Sequence, residues 1–408
     1  QQIWGFAEMG YQEEKSAALL QETLRNEDFK ITKGVAGIPT AFIAEYGEGF
    51  PVIAVLGEYD ALPGLSQEAT AEKKSAGKAA GHACGHHLFG TASTAAVIEV
   101  KNWLKANHKK GTIRFYGCPA EEGGSGKVYL VREGLFKDVD AALHWHPGDA
   151  NDANPGSTLA NKSAKFRFYG VASHAGMAPD KGRSALDAVE AMDMMVNMMR
   201  EHIPSDARIH YVITNGGKAP NVVPDFAEVY YYVRHGNRKT VVELFDRIAK
   251  AAEGAALGTG TTMKYELIGG THELLPNTTL QKMMYANLVK VGGVQYTEAE
   301  KEFGNQIIKS LGIENGDLNK AAIVQPYKNL DPSFGSTDVG DVSFTVPTAG
   351  MGSATWIPGT PAHSWQAVAA GGIDIGNKGM MVAAKTIALT AIDLFLHQDQ
   401  IAKAKAEL

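Results

Sequence analysis

The segment Gly81-His82-Ala83-Cys84-Gly85-His86-His87 packs three histidines and a cysteine into six positions. Thiolate sulfur and imidazole nitrogen suit Zn²⁺ or a similar first-row cation. The run stands just before a stretch that reads as a helix, and a helix N-terminus favours negative charge and lowers a thiol pKa. The plainer option is a Gly-rich loop with incidental histidines and Cys84 as a small buried hydrophobe. A second group is Glu121-Glu122, in GCPAEEGG. Adjacent carboxylates repel unless a cation shares them. One could hold a metal while its neighbour takes a proton from water, the division of labour of metal-assisted hydrolysis. His144-Trp145-His146, Glu58-Tyr59-Asp60 and the late His363, in PGTPAHSW, complete the set. Taken alone, Glu121-Glu122 reads as a solvated acidic loop and His363 as a core histidine.

The elements that must position these groups alternate between strand and helix. Helical spacing runs over 13–25, with Ala17, Leu19, Leu20 and Leu24 on its apolar side. PVIAVL (51–56), TIRFY (112–116) and AALHW (141–145) are short apolar runs of the kind that buried strands show. A long helix is expected over 88–107. This order predicts a mainly parallel α/β sheet. Glu58 to Asp60, Glu121-Glu122 and His144 to His146 all follow the carboxyl ends of such strands. Open α/β sheets bind ligands at that edge, so the joint placement argues for a site where each group alone does not.

The middle of the chain has another rhythm. Strand-like KFRFYG (165–170), a helix over 184–201, RIHYVIT (208–214), FAEVYYYVR (226–234), a helix over 240–256 and MKYELI (263–268) follow in the order β-α-β-β-α-β, the ferredoxin-like split βαβ. This domain is placed at 163–272, inserted into an α/β catalytic domain formed by 1–162 and 273–408. Helices over 276–293 and 379–396 return to the first domain. Met192, Met194, Met195, Met198 and Met199 lie at helical spacing and read as packing against the lid sheet or a partner.

Lys plus Arg number 39 and Asp plus Glu 45, a net charge of −6. With no basic run, this argues against nucleic-acid binding driven by phosphate contacts. Only two cysteines, Cys84 and Cys118, exclude a disulfide scaffold. With no signal-like start, they point to a reducing, cytoplasmic setting. The most apolar long stretch, 380–396, is interrupted by Lys385 and Asp393. It is expected to pack on a core rather than to span a membrane.

Several segments resemble peptidase family M20, the co-catalytic metallopeptidases and amidohydrolases, and within it the amidohydrolase branch. They are GEYDALPG (57–64), GHACGHH (81–87), GCPAEEGGSGK (117–127), WHPG (145–148), ASHAG (172–176) and GTPAHSW (359–365). QQIWGFAE (1–8), TLANKSAKFRF (158–168), GRSALDAVEAM (182–192), PNVVPDFAEV (220–229) and GSTDVGDVS (335–343) extend the similarity over almost the whole chain. The start aligns inside the family's first helix, so a short N-terminal piece is expected to be absent. The resemblance implies a zinc-exopeptidase-like catalytic domain with an inserted ferredoxin-like lid and dimerisation domain, and a centre of two divalent metal ions, Zn²⁺ or Mn²⁺. Carried over by position, Cys84 bridges the metals, and His86, Glu122 and His363 are ligands. Glu121 is the general base, and Asp60 supports the site from behind its ligands. The remaining ligand is His144 in the wider branch and His146 in the nearer subgroup; His146 is favoured. His87 stands where many members have Asp, a departure that bears on metal choice.

The activity implied is hydrolysis of an amide between an acyl group and an amino acid, with p-aminobenzoyl-glutamate or a related N-acyl amino acid as substrate. His174 of the lid would stabilise the oxyanion across a homodimer interface, and Asn221 and Arg234 would hold the substrate carboxylate. A related hydrolase subunit is a second expected partner. The alternatives are an aminoacylase, hippurate-type hydrolase or dipeptidase on the same fold, a binding subunit without catalysis, and a Zn-stabilised structural protein.

Overall fold

The computed structural model describes residues 1–328, 333 and 335–408. They form two units, Gln1–Gly156 with Leu275–Asp331 and Asp341–Leu408, and Ser157–Leu274 with Pro332–Gly340. The chain therefore builds part of the first unit, completes most of the second, and returns. The stretch Pro332–Gly340 groups with the second unit, where Leu159 N donates to Gly335 O at 2.9 Å.

The first unit holds a six-stranded sheet: β1 (Lys30–Lys33), β2 (Phe42–Glu48), β3 (Val52–Glu58), β4 (Gly111–Cys118), β5 (Ala141–Gly148) and, after four strands of the second unit, β10 (Thr348–Ala354). Their order is β1-β2-β4-β3-β5-β10. β3 runs parallel to β4 and β5, and β5 parallel to β10. β2 is antiparallel to both β1 and β4. The sheet is thus mainly parallel, as expected, with β2 alone running against the other five strands. A short connection such as 34–41 can join only antiparallel neighbours, whereas a parallel pair needs a crossover of a dozen residues or more. All seven residues of β3 are buried, as befits a central strand covered on both faces.

α1 (Glu14–Asn26) and α2 (His86–Ala106) pack on this sheet. In α2, Leu88, Phe89, Ala92, Ala96, Val97, Val100 and Leu104 recur at helical spacing and are buried in the core. α2 comes closest at Gly90, where a Cβ would lie 2.8 Å from Glu58 O. That approach sets the first turn of α2 against the carboxyl end of β3. After α3 (Ala185–Met199) and α4 (Arg238–Thr259) of the second unit come α5 (Thr278–Val291) and α6 (Asp374–Leu396). By length and composition α6 could cross a bilayer. Instead it lies against α2 and α5, with Val382, Ala383, Ile387, Ala391 and Leu394 in the same core.

The second unit is β6 (Ala160–Tyr169), α3 (Ala185–Met199), β7 (Arg208–Asn215), β8 (Phe226–His235), α4 (Arg238–Thr259) and β9 (Thr262–Thr271). Its antiparallel sheet has the order β9-β6-β8-β7, the ferredoxin-like arrangement that the β-α-β-β-α-β sequence pattern predicts. Phe166, Phe168, Val229 and Tyr231 of the sheet meet Val189, Met192 and Val196 of α3 and Leu244, Phe245 and Ile248 of α4. Met192 and Met199 are buried in this core, whereas Met194, Met195 and Met198 are exposed. β7 is an edge strand, and only Ile209 along it is buried.

Candidate metal centre

Three turns and the end of β5, at one edge of the first unit's sheet, carry the donors. Gly85 precedes α2 with φ +76°, and a Cβ there would lie 2.6 Å from Pro147 Cβ. Only glycine lets the start of α2 approach the end of β5 so closely. After β4, the Glu121–Gly124 turn is entered through Ala120 at φ 57° and left through Ser125 at φ 55°. His363 has φ 59°. Left-handed backbone in three non-glycine residues is strain of the sort that collects at functional sites. His363 N donates to Ala83 O at 3.0 Å, which brings the late loop beside Cys84.

Two groups of donors share one sulfur. Cys84, His86 and His146 form one; Cys84, Glu122 and His363 form the other; within each, the donor atoms lie within 4.8 Å of one another. Cys84 Sγ is 3.4 Å from His146 Nε2, and His363 Nε2 is 3.1 Å from Glu122 Oε1. With Zn–S near 2.3 Å and Zn–N or Zn–O near 2.0–2.2 Å, the edge of a tetrahedral site is about 3.3–3.6 Å. The donors already stand at nearly that separation. Among the described residues, His86 Nε2 and Glu58 Oε2 are buried without a hydrogen-bond partner. Orphaned polar atoms of this kind need an explanation, and a cation supplies one. The residues present therefore fit divalent metal ions.

The surroundings orient these donors. Asp60 Oδ1 lies 2.8 Å from His86 Nδ1, and Asp60 Oδ2 accepts from Glu122 N at 2.9 Å. His146 Nδ1–H donates to Pro147 O at 2.7 Å, leaving its Nε2 lone pair for Cys84's side of the site. Burial pushes the Cys84 thiol well up, so the metal-free sulfur keeps its proton. Burial also opposes the charge on Asp60, but the adjacent His86 outweighs it and holds the carboxyl low. The hydrogen bond with Glu122 raises His363. Glu13, wholly buried, accepts from Ala120 N at 2.8 Å and from Thr40 Oγ1 at 3.1 Å. Burial, then Asp60, pushes its pKa up to about 7.

His146 stands in the donor cluster and His144 does not. His144 lies further back along β5, over Gly350 of β10, where a Cβ would lie 2.2 Å from its Nε2. His87 also turns away, its Nε2 lying 2.9 Å from Gly371 O. Glu121 lies beside His86, with Oε2 4.0 Å from Nε2. The other three site residues belong to the second unit. There, His174 Nδ1 accepts from Gly176 N and Met177 N at 3.2 and 3.1 Å, and Ala175 N donates to Asn221 O at 3.0 Å. Arg234 lies toward the far end of β8, its Nε without a hydrogen-bond partner and its guanidinium 5.5 Å from the Tyr232 ring centroid. Sequence reasoning passed over Glu13 and Lys127 and left Glu58 without a role. A signal existed for Glu58, the first of three polar residues ending an apolar strand; Glu13 had none.

A model of the M20 peptidase dimerisation domain matches residues 160–259. Over 433 aligned residues the chain is 45% identical to one of the subunits of the p-aminobenzoyl-glutamate hydrolase of Escherichia coli, covering all of this chain and 90% of that protein. It is 31% identical to a mouse Xaa-Arg dipeptidase, over 96% of this chain and 84% of the other. A crystal structure of an aminobenzoyl-glutamate utilization protein from Klebsiella pneumoniae superposes with a TM-score of 0.66 at 19% identity, covering 95% and 92% of the two chains. Sequence likeness along the whole chain and a shared fold agree, and the protein belongs to the M20 peptidase family.

Proposed function

We propose that this protein is a metal-dependent amidohydrolase that cleaves the amide between an acyl group and an amino acid, with p-aminobenzoyl-glutamate as its substrate. The name of the Escherichia coli relative supports that choice of substrate. The observation that carries the reading is the shared sulfur, because Cys84 stands in two donor groups at once. Cys84, His86 and His146 would hold one divalent cation, and Cys84, Glu122 and His363 a second. Bound there, the metals polarise the scissile carbonyl and lower the pKa of water. Glu121 lies outside both Cys84 groups and beside His86. Its carboxylate accepts the water proton and passes it to the leaving amine. Asp60 keeps His86 and the Glu122 backbone in place. His174 donates to the oxyanion, and Asn221 and Arg234 hold the substrate carboxylate, the latter through its guanidinium fork.

In this reading two copies of the chain associate through the second unit, so that His174 of one serves the other. The match to a dimerisation domain and the open, exposed edge of β7 support it, because an unpaired edge strand is a template for another chain. A related hydrolase chain is the alternative partner, since the Escherichia coli relative is named as one component of a larger enzyme. A reducing cytoplasm suits the site, as Cys84 must remain a thiol to bind metal.

Elemental analysis of the purified protein, paired with hydrolysis of p-aminobenzoyl-glutamate in added Mn²⁺ or Zn²⁺, tests the proposal. The expected result is about two metals per chain and release of glutamate. Glu121→Gln should keep its metal and lose about 10²–10⁴-fold in rate; unchanged turnover would sink the general-base role. Two metals without glutamate release would move the substrate to other N-acyl amino acids or dipeptides. No metal after reconstitution would leave a binding subunit.

A further inference from the structure

Glu58 ends β3, and Lys127 lies in the short helix Gly126–Arg132. Their side chains are 1% and 0% exposed, and Lys127 Nζ is 2.5 Å from Glu58 Oε1. A buried ammonium is costly without an anion beside it, so Lys127 commits this oxygen. The other oxygen, Oε2, is 3.1 Å from His86 Nε2, yet among the described residues neither atom makes a hydrogen bond. His86 cannot turn away, because its Nδ1 is held by Asp60 at 2.8 Å. With Nδ1–H donating to Asp60, the neutral form of His86, the one that can bind metal, sets the Nε2 lone pair beside an anionic oxygen. Two acceptors that close need a positive charge in common. Glu121 completes the set: Glu58, His86 and Glu121 place a donor atom each within 4.8 Å of the others.

We propose that Glu58 is a further carboxylate donor to the cation held by His86, and that Lys127 is the fixed counter-ion that aims it. The inference rests on the two-cation reading above and makes the two positions unequal. The His86 cation gains a carboxylate from β3, and the Glu122 cation does not. Lys127 acts as a positioning residue, since it touches Glu58 and meets neither metal nor substrate.

The test uses the full chain stripped of metal, then loaded with Mn²⁺ or separately with Zn²⁺. Bound metal is counted by elemental analysis, and affinity is read by competition with a chromophoric chelator. Glu58→Gln keeps an acceptor for Lys127 and removes the charge. It should weaken one of the two cations by about 10–100-fold and leave the other unchanged. The double variant Glu58→Gln with Lys127→Met removes the buried charges together. A deficit that persists in the double variant supports the proposal. Wild-type affinity in the double variant would mean that Glu58 serves only as the partner of Lys127, and would overturn it. Two tightly bound metals in Glu58→Gln would overturn this inference alone, whereas a wild type that binds no metal would overturn the two-cation reading with it. Should the single variant fail to fold, the double variant, monitored by its thermal midpoint, carries the decision.

Discussion

Asp60 bonds His86 with one oxygen and the Glu122 backbone with the other, so a single carboxylate sets donors from two separate turns. Glu13 holds Ala120 N, just before Glu121. Burial raises its pKa from 4.5 to about 7. Because the folded chain binds this proton more tightly than the unfolded chain, the stability it contributes is complete below pH 4.5 and lost as pH rises through 7. Glu13→Gln should therefore unfold at a higher temperature than the wild type at pH 8, with the gap closing toward pH 5. The difference at pH 8 is at most about 3 kcal/mol. Parallel melting curves at all pH values would refute the assignment. The donor types themselves were legible in sequence, since thiol, imidazole and carboxylate declare their chemistry. Glu13 and Lys127 were not, because their partners lie 107 and 69 positions away.

Strands and turns decide whether donors of the right type converge. The apolar runs of β3, β4 and β5 and the alternation of β8 are readable because burial on two faces or one writes a distinct pattern. β1 is mostly exposed and β2 only partly buried, so neither declared itself, and the antiparallel margin of the sheet went unread. The helix Glu298–Ser310 also escaped, although its capping box of Thr297 and Glu300 is a sequence-level start signal. The turn at Gly85 is the sharpest local demand. Gly85→Ala should cost about 1–2 kcal/mol from the left-handed backbone alone, add a clash with Pro147, and lower metal content. Elemental analysis and thermal unfolding read both effects. Gly254 provides the contrast: it lies within α4, and a Cβ there meets nothing within 4 Å. Gly254→Ala should raise stability by about 0.5–1 kcal/mol; a loss in chemical denaturation would contradict that.

For the whole molecule, the edge strand β7 and helix α3 each expose apolar side chains. Val212 is 56% exposed, and Met194 and Met198 are 61% and 65% exposed. Asn197 and Tyr211 meet at 3.3 Å across the join. If copies of the chain associate there, Val212→Glu should convert a dimer to a monomer in light scattering. It should also reduce turnover while metal content holds, since His174 then lacks the neighbouring site. A monomeric wild type would remove the basis for both expectations. Residue types and their order along the chain were enough to read the metal chemistry, the α/β alternation and the inserted β-α-β-β-α-β unit. Side chains carry their ligand chemistry with them, and helix and strand leave periodic traces. Residue types and periodicity left open which histidine joins the cluster, and the resemblance to the nearer subgroup favoured His146. His144 and His146 share a face of β5, about 6.6–6.8 Å apart along the strand, so alternation cannot separate them. The register that sets His144 against Gly350 of β10 and leaves His146 beside Cys84 does. The same holds for Glu58, whose part depends on a lysine brought beside it by packing that no local pattern records.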